Sequence, residues 1–429
     1  MFESLKRKLL AWPLFFRNLK RAQRVAWKVK ASAYRRRREA LRRRIYGRDT
    51  AAEPIKVLFF VTNMALWKYR ELAELMKRNP RFHPIIAPFY TPKTDLAIMR
   101  RNREAIKAYA EANSLDYADS YDFKANSYLN LTSLRPDLVS YSQPYDYGHR
   151  SCRIDAFKKH SLFFYTPYGA PVAEGKQFRD TYLLNVADFI FVGSPIEKEV
   201  FMKSMPANTG SLIITGSEIF DLVRNADPAK SPWPDNGLKR VIWAPHHSID
   251  DHNSFASSHF ERLAQAMLDM ADSHSDTIEF AFKPHPILRT RLYEKWGPER
   301  TDAYYREWTR RPNTFLADGE YTELFAFSDA MIHDCSSFAA EYLYTGNPVL
   351  YITDSDQPGV ALGNDYGRQC FKLHYHGFSV EDIESFLDLT VIGGKDKLKP
   401  ARRLFIDLQL TPPGETTPGK NMLDSLSQK

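Results

Sequence analysis

The chain has 429 residues, enough for two or three domains, and its 43% apolar content excludes a disordered polymer. Three cysteines, Cys152, Cys335 and Cys370, are too few and too scattered for a disulfide framework or a CxxC zinc clasp, so a reducing compartment is expected. The net charge of +8 is uneven: the first fifty residues carry 17 Lys and Arg against 3 Asp and Glu, leaving a mildly acidic body of 43 against 49.

Residues 1–50 form a basic arm. Leu5, Leu9, Trp12, Phe16 and Leu19 recur at three- and four-residue steps, the period of one helix face. Lys6, Arg7, Lys8, Arg17 and Lys20 lie off that face, and Pro13 kinks or divides the helix. Arg17, Lys20 and Arg21 argue against a signal-peptide core. Aromatic and aliphatic residues on one side with cations on the other suit an anionic membrane surface, so residues 1–48 are expected to be a peripheral anchor. The blander reading of Arg35–Arg38 and Arg42–Arg44 is a solvated basic helix. No nucleic-acid-binding motif accompanies them, so no nucleic-acid partner is expected.

The body, starting at residue 51, alternates strand and helix patterns. Strands are expected at 55–61, 82–87, 136–141, 161–165, 189–192 and 212–215, with helices at 66–78 and 96–112. This is a first domain over residues 51–227. The stretch 228–237 holds three prolines and ends in Asn-Gly, which reads as a linker. A second cycle follows over residues 238–400. It has strands at 240–244, 277–282, 314–316, 330–332 and 349–352, and helices at 255–270, 288–296, 321–327 and 338–344. Residues 401–429 are left as a C-terminal helix or tail. Alternation of this length implies two Rossmann-like, doubly wound α/β domains facing each other across a cleft, with ligands outside the carboxyl ends of the strands.

Three polar clusters fall at expected strand ends of the second domain: Ala244-Pro245-His246-His247-Ser248, Lys283-Pro284-His285-Pro286 and His333-Asp334-Cys335-Ser336-Ser337. The third enters a helix, where free backbone N–H groups and the hydroxyls of Ser336 and Ser337 suit a phosphate. A plain N-cap is the alternative use of Asp334 or Ser336. In the second, prolines stiffen a loop that presents Lys283 to a diphosphate and His285 as a donor or acid; a rigid turn with a packed His is the alternative. His246, His247 and His252 do not match a zinc spacing, and no metal or cofactor is expected.

These clusters, in this order, resemble the CDP-glycerol glycerophosphotransferase family, the teichoic-acid primases and polymerases. The shared features are the Ala-Pro turn at Ala244-Pro245, the Lys-x-His-Pro turn at Lys283–Pro286, the Asp-x-Ser-Ser turn at Asp334–Ser337, and the strand entered by Pro348-Val349-Leu350-Tyr351. The likeness covers roughly residues 160–360. It implies a GT-B architecture with CDP-glycerol held by the second domain, where Lys283, His285, Asp334, Ser336, Ser337, His246 and His247 are the candidate donor-site residues; His246-His247 depart from the family, whose Ala-Pro turn leads into Thr-Trp-Arg-like residues. It also implies transfer of glycerol phosphate to a lipid-linked or polymer acceptor, with CMP released, on the cytoplasmic face of the cell membrane.

One departure stands out. The family carries a His-Gly-Thr-Pro-like turn whose His resembles the acceptor base; the matching residues here are Tyr168-Gly169-Ala170-Pro171. A phenol in water titrates near 10 and is a poor base at neutral pH. Tyr168 is therefore expected to orient the acceptor beside Gly169 and Pro171, with His149, Glu174 and His247 as unranked candidate bases. Three other readings remain: a GT-B sugar transferase of capsule or envelope polysaccharide, a sugar-nucleotide epimerase, and a non-catalytic member of a polymer-assembly complex.

Overall fold

The structure, a computed structural model, describes residues 25–26, 29–50, 52–145, 148–174, 180–249, 258–354 and 363–428. The first domain is built on strands β1 (Ile55–Val61), β2 (Phe82–Pro88) and β3 (Asp116–Tyr117). A small antiparallel hairpin, β4 (Tyr121–Asp122) and β5 (Ser127–Tyr128), follows. Strands β6 (Leu138–Tyr141), β7 (Leu162–Tyr165), β8 (Phe189–Val192) and β9 (Leu212–Ile214) complete the sheet. The second domain holds β10 (Lys239–Ala244), β11 (Ile278–Phe282), β12 (Thr314–Leu316), β13 (Ala330–His333), β14 (Val349–Ile352) and β15 (Tyr375–Gly377).

The sheet orders are β3-β2-β1-β6-β7-β8-β9 and β12-β11-β10-β13-β14-β15, with every pairing parallel. Such a sheet is covered on both faces. That is why the central strands read as unbroken apolar runs such as Leu162-Phe163-Phe164-Tyr165 and Phe189-Ile190-Phe191-Val192. Each order reverses beside its first strand, between β1 and β6 and between β10 and β13. Each sheet thus has a switch point at its carboxyl edge, the place where open parallel sheets hold ligands. The expectation of two doubly wound domains holds.

The described part of the basic segment is a helix over residues 29–46, docked on the first domain. Ala31, Tyr34, Leu41 and Ile45 fall on one face and are buried in that domain's core. Asp137 and Asp188 stand just before β6 and β8, at the amino edge of the sheet. The Tyr34 hydroxyl donates to Asp188 Oδ2 at 2.6 Å, and Arg38 Nε lies 2.9 Å from Oδ1 without hydrogen-bond alignment. Arg48 pairs with Asp137, Nη1 at 3.1 Å from Oδ1, while Arg35 donates to the Asn185 carbonyl at 2.8 Å. Arg36, Arg37 and Arg43 remain exposed. The second arginine block therefore serves the fold as well as the surface. The Leu5–Leu19 stripe lies outside the described residues.

Two connecting segments are anchored. Trp233, in the proline-rich linker, is buried and its indole N–H donates to the Leu324 carbonyl at 3.0 Å. At the other end, the helix Pro418–Ser427 returns to the first domain, where Met422, Leu423 and Leu426 join the core and Gly419 N–H donates to Glu71 Oε2 at 2.8 Å. Among the described residues no helix is long and apolar enough to cross a membrane.

Candidate active site

The turns leaving β10 and β11 bring three imidazoles together. Ring centroids are 4.2 Å apart for His246 and His247, 5.0 Å for His246 and His285, and 4.3 Å for His247 and His285. Two rings are fixed by the same local contact. Ser248 N–H donates to His246 Nδ1 at 3.3 Å, and Ile287 N–H donates to His285 Nδ1 at 3.2 Å. A ring nitrogen that accepts a hydrogen bond carries no proton, so the neutral ring keeps its proton on Nε2. Burial, then His247 and His246, then Lys283, push His285 down to about 3, so it is neutral at pH 7. Nitrogens of all three rings lie within 4.8 Å of one another, close enough for one metal ion. A metal on Nε2 would have to move its proton to Nδ1, against the backbone N–H already there. The tautomers fit an anion, toward which Nε2–H donates, better than a cation.

Asp334 braces this cluster. Its Oδ1 accepts His246 N–H at 2.5 Å and its Oδ2 accepts His259 N–H at 2.7 Å. The Cys335 thiol donates to the Ala244 carbonyl at 3.3 Å. The turn after β13 is thus sewn to the turn after β10 across the switch point, and Asp334 spends both oxygens on backbone. Lys283 is buried, donates to the Gly319 carbonyl at 3.0 Å, and has its pKa lowered by that burial against the pull of Asp318 and Glu320.

Ser336 and Ser337 line a cavity of about 280 Å³ whose other wall comes from the first domain: Tyr145, Tyr168, Gly169 and Pro171. Lys283 and His285 do not line it. The α-helix after Ser337 is only Phe338–Glu341, continued by a 3-10 turn to Thr345. So short a segment has little macrodipole, and the hydroxyls with the local N–H groups are what the turn offers an anion.

Tyr168 stands across the cavity from the two serines, its hydroxyl 3.4 Å from that of Tyr145. Its turn is held by the second domain. Asn364 donates through Nδ2 to the carbonyls of Pro171 and Ala173 (3.1 Å to the latter), and its N–H donates to the Val172 carbonyl at 3.1 Å. A Cβ on Gly367 would sit 2.3 Å from that same carbonyl, so only glycine lets the helix Asp365–Phe371 approach the turn this closely. Glu341 is buried, bound by the Tyr321 hydroxyl at 2.7 Å and by the backbone of Ala170. Sequence reading missed both Glu341 and Asn364. The signal for Glu341 was available: a lone acid in Phe338-Ala339-Ala340-Glu341-Tyr342-Leu343 is buried only if paired.

Beneath the turn lies a water-sized cavity of about 30 Å³ lined by Lys68, Tyr168, Glu218 and Glu341, among others. Glu218 accepts Arg70 N–H on Oε1 at 2.8 Å, while Oε2 is buried without a partner. Burial raises its pKa to about 7, although Arg70 and Lys68 pull the other way. Of the expected bases, His149 stacks on Tyr128 at 4.1 Å with Nδ1 on Ser151, Glu174 is exposed, and His247 belongs to the histidine cluster.

Two doubly wound domains closed over such a cleft have the GT-B architecture. The resemblance carried by the motifs is borne out: residues 168–357 match the model of the CDP-Glycerol:Poly(glycerophosphate) glycerophosphotransferase family, and the chain is a transferase related to it. That segment contains the Tyr168 turn and all three polar clusters. No curated protein matches the chain. The fold is shared with a putative UDP-N-acetylglucosamine 2-epimerase from Listeria monocytogenes at 14% identity and TM-score 0.55, over 87% of this chain and 96% of that one. It is shared with UDP-GlcNAc 2-epimerase from Neisseria meningitidis bound to UDP-GlcNAc, at 15% identity and TM-score 0.55, over 86% and 99%. A variant of the wall teichoic acid polymerase TagF aligns at 13% identity and TM-score 0.53, over 95% and 96%. Identities this low establish the fold alone.

Proposed function

We propose that the protein transfers glycerol phosphate, or a similar phosphoalcohol, from a CDP-linked donor to a polymer or lipid-linked acceptor of the cell envelope. The observation that carries this reading is positional. Within the family-matched segment, the His246-His247-His285 cluster and the Ser336-Ser337 turn follow the adjacent strands β10, β11 and β13, Asp334 ties the first turn to the last, and Tyr168 shares a cavity with the serines. The donor diphosphate lies against the Nε2–H groups of His246 and His285 and the serine hydroxyls, with Lys283 behind them. The acceptor hydroxyl, oriented by Tyr168, attacks the phosphorus that bears glycerol. One P–O bond forms, the bond to CMP breaks, and the hydroxyl proton passes through the water-sized cavity to Glu218, whose pKa near 7 suits a base.

The test is to incubate the protein and a lipid-linked acceptor with CDP-glycerol, CDP-ribitol, UDP-sugars and CMP-sugars, and to identify the nucleotide released. CMP from a CDP-linked alcohol is expected. UDP from a UDP-sugar makes the protein a glycosyltransferase instead, and no release from any donor makes it a binding member of an assembly.

Attachment to the inner membrane face belongs to the same proposal, and the +14 of the first fifty residues supports it. Deleting residues 1–24 leaves Tyr34, Arg38 and Arg48 in place and is expected to abolish sedimentation with anionic vesicles. Sedimentation that survives the deletion at moderate salt would remove those residues as the anchor.

A further inference from the structure

A third cavity, of about 590 Å³, lies at the junction of the domains and is not used by the proposed chemistry. Arg224 reaches it from the first domain, at the end of the helix Glu218–Arg224. Lys399 and Arg403 reach it from the helix Lys399–Phe405, one turn apart on one face. Among the described residues none of these three cations closes an ion pair, whereas neighbouring Arg402 is buried and paired with Asp396. Asp407 is the one acid in the lining, so the concavity keeps an excess of two positive charges. Thr345 and Asn347 complete it on a turn of the second domain.

We propose that this concavity is a second anion site, which takes a ligand bearing two or more phosphate groups and bridges the two domains. The charge is spread over two helices from different domains, so one phosphate cannot meet all of it, while a chain of phosphates can. The recess excludes a flat bilayer, whose headgroups meet convex surfaces. Position ties the site to the cleft. Tyr344 lines both this cavity and the small one under Tyr168, and the helix that presents Arg224 here begins with Glu218 there. A ligand seated across Arg224 and Arg403 fixes the two walls of the cleft relative to each other. The phosphates come either from the growing phosphodiester product, a source that rests on the proposed function, or from a free nucleotide, which does not.

The experiment is calorimetric titration of the full chain with tripolyphosphate at low salt, beside orthophosphate. Tripolyphosphate is expected to bind more tightly than orthophosphate. Lys399→Glu with Arg403→Glu should weaken its binding at least about tenfold, as loss of two charge-assisted contacts requires. Arg224→Glu should weaken it in the same direction, and the Lys283→Ala, His285→Ala double variant should leave this binding in place. With the donor site removed by Lys283→Ala and His285→Ala, tripolyphosphate binding that survives charge reversal on both helices overturns the proposal, and so does binding already absent from that double variant. Loss of CDP-glycerol binding in the His285 variant bears on the donor site alone, so the two readings fail separately. A glycerol-phosphate oligomer that binds wild type and not the charge-reversed variant identifies the product chain as the source; CDP doing so identifies the nucleotide.

Discussion

The two domains are wound alike and yet place their polar residues at opposite edges. In the first, Asp137 and Asp188 sit at the amino edge of the sheet and are answered from within the chain by Arg48, Arg38 and Tyr34. In the second, the histidines sit at the carboxyl edge, and His285 spends Nδ1 on backbone while its ring packs against His246 and His247. Polarity that the chain itself answers holds a fold together. Polarity whose local contacts only fix its orientation is left for a ligand.

The largest test of that contrast is His285→Ala. Loss of a leaving-group donor is expected to lower turnover by about 10²–10⁴. Stability should move by no more than about 1 kcal/mol, as for a partly exposed side chain on a loop. A melting temperature that collapses while the residual rate stays high would place His285 with the structural group.

Arg38→Ala is the converse. It leaves Asp188 buried beside Tyr34 without its cation, which costs on the order of 3 kcal/mol when one partner of a buried pair is removed. Denaturant titration should show that loss, with donor binding by the folded protein unchanged. Pairing the change with Asp188→Asn should recover part of it; no recovery would mean that Arg38 acts through packing alone.

Much of this was legible in the sequence, for a reason that also explains the gaps. Buried parallel strands are apolar throughout, so β8 and β14 are legible to the residue, as are β1, with Lys56 its one exposed position, and the short edge strand β12. Strands β3 and β15, two and three residues long, carry too little pattern to be seen. The helix Pro298–Arg310 was passed over because its polar face dominates its composition. The three polar clusters were legible because turns after strands announce themselves with Pro, Gly and polar residues. What was not legible is partnership across long separations: Arg38 with Asp188, Asn364 with Pro171, and Glu341 with Ala170. Nothing local in a run of arginines distinguishes an exposed one such as Arg36 from Arg38, which faces an aspartate.

The domains should also answer pH in opposite directions. In the second, His285 falls from 6.5 to about 3 and His333 from 6.5 to about 4, both chiefly by burial. There the unfolded chain binds more protons, so stability is present above 6.5 and is lost as pH falls from 6.5 toward 4. In the first, burial raises Asp188 from 3.8 to about 6 and Glu218 from 4.5 to about 7. There the folded chain binds more protons, so stability is greatest below about 4 and is lost as pH rises through 6 to 7. Hydrogen exchange, corrected for its intrinsic pH dependence, should show β10, β11 and β13 losing protection between pH 7 and 5 while β6, β7 and β8 gain it. Loss in both sheets would break the contrast.

The smallest expected effect falls where the two domains meet. Tyr168 comes from the first domain, but Asn364 and Glu341 of the second hold its turn, so it belongs to neither pattern cleanly. Its hydroxyl has Tyr145 at 3.4 Å, a long contact that leaves it available to an acceptor. If it orients the acceptor and Glu218 takes the proton, Tyr168→Phe removes one positioning hydrogen bond, worth about 1–1.5 kcal/mol or roughly tenfold in rate. Donor affinity should not change, since Ser336, Ser337 and the histidines are untouched. The pH profile should keep the acid limb set by the base, near the pKa of about 7 that burial gives Glu218, and Glu218→Gln should remove that limb. A fall of four orders of magnitude in Tyr168→Phe, with the limb gone, would make the phenol itself the proton carrier. No fall at all would make the turn a packed hinge, and the acceptor would then have to be sought elsewhere on the first domain.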